Sequence, residues 1–110
     1  MEHADLSDYV RFDEREPQRH AVFETDRLFS QVVCIGRNQA HGPVADPGAD
    51  AMVTVLAGQT VVQAGKKRKR LRQWGTALIP AGSELTVINA SEEPLVILLV
   101  TAPPPPPAAD

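Results

Sequence analysis

From Ala21 onward, the apolar residues come in short runs broken by turn residues at nearly even intervals. The runs are Ala21–Phe23, Phe29–Ile35, Met52–Leu56, Thr60–Gln63, Arg70–Gln73, Ala77–Ile79, Leu85–Ile88 and Leu95–Val100. Between them stand Gly36-Arg37-Asn38, Asp46-Pro47-Gly48, Ala57-Gly58, Ala64-Gly65, Pro80-Ala81-Gly82 and the stretch from Ala90 to Pro94. Valine, isoleucine and threonine suit a pleated surface, and runs this short at this spacing predict a β-sandwich or barrel. No sustained 3.6-residue apolar period follows Ala21, so little helix is expected. Leu95–Val100 is apolar at every position, as is most of Gln31–Ile35, so each needs cover on both faces. The barrel interior supplies one cover. A second subunit is the expected other, giving a homodimer; an N-terminal arm is the alternative.

Residues 1–20 read as that arm. It carries Glu2, Asp5, Asp8, Asp13, Glu14 and Glu16 among few apolar residues, of which Leu6, Tyr9, Val10 and Phe12 suit packing across a barrel. A helical turn capped by Asp5 or Ser7 is expected within it. Residues 21–102 form the β-domain, and 103–110 a proline-rich tail. Prolines lack amide hydrogens and cannot extend a sheet, so the tail is expected as polyproline II.

Composition narrows the picture modestly. A chain of 110 residues suits one domain, and with 5% aromatics its core must be mainly aliphatic. Cys34 is the sole cysteine, so no internal disulfide is available, and a buried inert thiol is the expected role. The acidic first residues do not resemble a signal peptide, and no apolar run approaches the ~20 residues of a membrane span. A cytoplasmic location without membrane attachment is the resulting expectation.

The stretch Gly75 to Asn89, GTALIPAGSELTVIN, resembles the second motif of the cupin family, G-x5-P-x-G-x2-H-x3-N. Pro80, Gly82 and Asn89 match at the family's spacing, whereas Leu85 stands at its metal-binding histidine. Gly75 lies one residue too close to Pro80, and Trp74 occupies the place of the motif's first glycine. Upstream, VADPGADAMVTVLAG (Val44 to Gly58) is similar to the first motif, G-x5-H-x-H-x3-4-E-x6-G. Val44 and Asp46 then fall at its two histidines and Ala51 at its glutamate.

The resemblance implies an all-β cupin fold, a double-stranded β-helix or jelly-roll barrel. In the family, three histidines and a glutamate hold a divalent metal inside that barrel. Imidazole and carboxylate donate lone pairs at metal distance; Val44, Ala51 and Leu85 have none to give. Neither metal nor cofactor is therefore expected. Val44, Asp46, Ala51, Val53, Leu85 and Val87 are expected to line a largely apolar pocket, with a small apolar ligand as the candidate occupant.

Other chemistry is thinner. His41, Asp46 and Asp50 would form an improvised metal site if the loop register shifted, whereas His3 and His20 are expected to be solvated. Lys66, Lys67, Arg68, Lys69, Arg70 and Arg72 hold six of the 11 basic residues in a chain of net charge -3. Such a run suits a polyanion, though only Trp74 offers a base-stacking surface nearby, which disfavours nucleic acid. A solvated edge hairpin, or one paired with the acidic arm, is favoured instead. The sequence thus favours a non-enzymatic, metal-free cupin binding a small ligand or partner at the barrel mouth. A metal-dependent cupin oxygenase or isomerase with substituted ligands, and polyanion binding through the basic hairpin, are the alternatives.

Overall fold

The computed structural model describes residues 1–104 and contains nine strands: β1 (Gln18–Glu24), β2 (Phe29–Ile35), β3 (Ala40–Val44), β4 (Asp50–Ala57), β5 (Gln59–Ala64), β6 (Lys67–Arg72), β7 (Thr76–Ile79), β8 (Leu85–Ile88) and β9 (Leu95–Ala102). They form two antiparallel sheets, one ordered β1-β2-β9-β4-β7 and the other β3-β8-β5-β6. This is the all-β jelly-roll expected from the sequence, with β1 and β6 longer or shifted. Of the proline-rich tail expected over residues 103–110, all but Pro103 and Pro104 lies outside the described residues.

Strand β3 is the element that the apolar pattern missed. Ala-His-Gly-Pro-Val has no alternation, and its pairing with β8 shifts register between His41 and Val44. Gly42, at φ +103, lets this irregular strand pass close over β8: a Cβ there would meet the Leu85 carbonyl at 2.4 Å.

Inward residues of both sheets fill one core. Val33 and Ile35 from β2, Val53 and Val55 from β4, and Leu95, Ile97 and Leu99 from β9 pack against Val62, Leu85 and Val87 of the smaller sheet. Pleating sends the intervening residues to the outer face, so β2 and β9 are apolar on both sides. The cover over part of that outer face is the chain's own arm. Asp5 caps a single 3₁₀ turn, Leu6–Tyr9, accepting from the Ser7 amide at 3.0 Å. Leu6 and Tyr9 then pack on Val32, Cys34 and Val96. Cys34 is fully buried beneath them, and burial pushes its thiol above the ordinary range. Val10 and Phe12 remain exposed and do not join this layer.

The arm leaves the far end of the sheet bare. Leu78 and Met52 lie side by side on β7 and β4, 71% and 42% exposed, with Val100 beside Met52 on β9. Among the described residues, no helix is long and apolar enough to cross a membrane.

Candidate functional site

The open end of the barrel holds a cavity of ≈ 600 Å³. Two loops frame it and are tied to each other. The Asp46 carbonyl accepts from the Gly82 amide at 2.9 Å, and Asp50 Oδ1 accepts from the Ala81 amide at 2.9 Å. The β3–β4 loop and the Pro80-Ala81-Gly82 turn therefore set one another's position. Beneath them, Ala49, Ala51, Ile79, Leu85 and Leu99 make an apolar floor.

Four of the six residues expected in the pocket, Val44, Asp46, Ala51 and Leu85, border the cavity. Val53 and Val87 do not: both point inward but lie fully buried in the packed core. Strand parity identified their face correctly, but it carries no information on depth, and the core fills the barrel up to their level.

The cavity also has a polar wall, of which only His41 was a candidate from the sequence, as part of the improvised metal site. Arg19 of β1, Gln31 of β2, His41 of β3 and Thr101 of β9 also border the cavity. Gln31 was legible in principle, because it shares the inward parity of Val33 and Ile35 and interrupts an apolar run. Arg19 was not, since the apolar pattern begins at Ala21 while β1 begins at Gln18.

Electrostatics distinguish these groups. Burial, followed by the nearby Arg19 charge, holds the His41 imidazole below its ordinary value of 6.5. Neutral His41 is thus the favoured form in the folded protein. Among the described residues, the side-chain ion pairs are Arg15–Asp13 and Arg37–Glu92, so Arg19 has no ion-pair partner there. Asp46 Oδ1 accepts from the Gly48 amide at 2.9 Å, but Oδ2 is buried without a partner.

The His41 shift has a testable sign. The unfolded chain takes up this proton more readily than the folded one, so stability is present above pH 6.5 and declines as pH falls below it. Urea midpoints should drop between about pH 7.5 and about pH 5.5, a window in which carboxylates barely titrate. His41→Gln should flatten that slope; an unchanged slope would contradict the assignment.

The described residues offer no set of side chains that fits a metal ion. The improvised trio does not assemble: His41 and Asp46 border the cavity, but Asp50 is on the outward parity of β4 and engages Ala81. Among the described residues, no cluster of three or more histidine, cysteine, aspartate or glutamate side chains is placed to hold one. His20 also departs from expectation. It faces outward opposite Val32, half-buried, and its Nε2 is buried without a partner.

The basic run forms β6, an edge strand of the smaller sheet. Its register sets Arg68, Arg70 and Arg72 opposite Gln63, Val61 and Gln59, and sets Lys67 and Lys69 opposite Ala64 and Val62. The expected pairing with the acidic arm does not occur within the chain. Asp13 is taken by Arg15 at 3.0 Å, and the arm packs on the other sheet.

No family model matches the chain, and neither does any curated protein. Solved structures do. The protein TT1209 from Thermus thermophilus is 30% identical over 96% of this chain and 100% of its own, with a TM-score of 0.91. A Klebsiella pneumoniae protein with a double-stranded β-helix domain is 24% identical, over 94% of this chain and 90% of its own, at a TM-score of 0.87. An RmlC-like cupin from Desulfovibrio desulfuricans superposes with a TM-score of 0.81 at 20% identity, covering 94% of this chain and 98% of its own. The jelly-roll topology and these likenesses together show that the chain has the cupin fold, as a small cupin-like domain.

Proposed function

We propose that this protein is a non-enzymatic cupin that takes up a small organic molecule in the barrel mouth without a metal ion. One observation carries the reading: the cavity has an apolar floor and a polar wall whose side chains are not used internally. Buried polar groups are ordinarily hydrogen-bonded, so an orphaned carboxylate oxygen in the same cavity as a guanidinium without an ion-pair partner favours a guest with polar groups of its own. The cavity volume lies within the range of about 300–1,000 Å³ common to small-molecule sites. The side chains of Val44, Ala51 and Leu85 supply no lone pairs where the family's metal ligands stand, which favours binding over metal-assisted catalysis.

The test is an amide-shift titration with mixed small alcohols, acids and amides. Shifts should cluster at His41, Ala51, Leu85 and Leu99, and Ala51→Phe, which fills the floor, should abolish them while the remaining spectrum stays dispersed. Shifts scattered elsewhere, or indifferent to Ala51→Phe, would refute the reading.

The basic edge strand fits protection better than recognition. Its charges discourage pairing with another sheet, and no bulky aromatic interleaves them. A homodimer is proposed through the uncovered apolar stripe of Leu78, Met52 and Val100, with subunit number read directly from the native mass; a strictly monomeric protein at micromolar concentration would exclude it.

A further inference from the structure

The cavity's polar groups sit on different elements, and this separation constrains what can bind. Arg19 and Gln31 are diagonal neighbours on β1 and β2: Arg19 pairs with Val33, and Gln31 with Ala21, two residues along. His41 belongs to β3, at the edge of the facing sheet, close enough to Arg19 to feel its charge. Asp46 belongs instead to the β3–β4 loop, tied to the turn that leads into β8. The apolar side chains of Ala51, Leu85 and Leu99 also border this cavity.

We propose, building on the barrel-mouth reading above, that the guest is a small monocarboxylate with an apolar body and a hydrogen-bond donor at its far end. The guanidinium has donors only, arranged in a planar fork that matches the two oxygens of a carboxylate. Gln31 and neutral His41 add uncharged hydrogen-bonding capacity beside it. Asp46 Oδ2 is an acceptor without a donor, so the opposite end of the guest carries a hydroxyl or an amine. Charge balance disfavours a phosphate. Arg19, which has no ion-pair partner among the described residues, can match one negative charge, whereas neutral His41 and the Asp46 carboxylate offer nothing to match the second charge of a dianion. Between the two ends, an aliphatic body suits the floor and loses little by leaving water.

Calorimetric titration of the full chain tests this with four probes: ω-hydroxyoctanoate, ω-aminooctanoate, octanoate and the neutral ω-hydroxyoctanamide. The hydroxy acid should bind about tenfold more tightly than its amide, the scale of a charge-assisted contact partly open to water. Arg19→Gln should remove that advantage and leave amide binding within about twofold. Octanoate should bind several-fold more weakly than the two carboxylates that bear a terminal donor. Asp46→Asn, which keeps an oxygen for the Gly48 amide, should weaken the amino acid most. Equal affinity for acid and amide, or indifference to Arg19→Gln, overturns the carboxylate assignment while leaving the cavity as a binding site. Octanoate binding as tightly as the donor-bearing probes overturns the role of Asp46. Failure of all four probes overturns the proposal, and the mixed-fragment titration then decides separately whether the cavity binds anything.

Discussion

Asn89→Ala is expected to be among the most damaging single substitutions in the chain, costing about 3–4 kcal/mol. Asn89 is fully buried, and its amide nitrogen donates to the Ile35 carbonyl at 3.0 Å and to the Glu93 carbonyl at 2.8 Å. Its Oδ1 accepts from both the amide and the hydroxyl of Ser91, at 3.1 and 3.0 Å. One side chain thus satisfies groups from β2 and from the turn between β8 and β9. Truncation leaves the Ile35 carbonyl in the interior without this donor. An orphaned buried group costs its full desolvation, well above the net value of a made bond. Ser91→Ala supplies the control: it removes one donor to Asn89 at a half-exposed site and should cost about 1 kcal/mol or less. Urea unfolding of both variants distinguishes them. An Asn89→Ala loss no larger than that of Ser91→Ala would show that the network is not what holds the turn.

Gly58→Ala should cost about as much, for a different reason. Gly58 turns the chain from β4 into β5 at φ +83, where a Cβ would stand 2.4 Å from the Pro94 carbonyl oxygen and 3.1 Å from the Leu95 Cα. Both neighbours are backbone and cannot swing aside. The left-handed conformation alone costs a non-glycine residue about 1–2 kcal/mol, and displacing packed backbone adds a further cost of about 1–3 kcal/mol. Gly65 separates the two contributions, because it has φ +58 and a Cβ added there would meet nothing within 4 Å. Gly65→Ala should therefore show the conformational cost alone, about 1–2 kcal/mol. Thermal or urea melts that placed the two variants level would contradict the steric half of the argument.

These two positions also show what the sequence made legible. Asn89, Gly58 and the Pro80-Gly82 turn were readable because they serve backbone geometry, and backbone geometry leaves fixed spacings. The register departure at Trp74 has a structural counterpart. The residue standing at the motif's first glycine adopts φ +73, a left-handed conformation, with its indole 72% exposed. The candidate site was less legible. Ala51 and Leu85 were found through their motif positions, but Arg19, Gln31 and Thr101 come from three neighbouring strands that no local spacing connects. Strand β3 was missed because Gly42-Pro43 reads as a turn. It is held as a strand only by its pairing with β8, a contact distant in sequence. The acidic arm and the basic run looked complementary as strings of charge, yet the fold places them on different sheets.

The proposed metal-free barrel with a site for a small organic guest makes a prediction about what the purified protein carries. Native mass spectrometry of the untagged 110-residue chain, with elemental analysis of the same sample, reads this out. The expected result is a mass of the polypeptide alone or with an organic adduct, and iron, manganese, nickel and zinc far below one per chain. A stoichiometric metal that is lost in His41→Ala would contradict it.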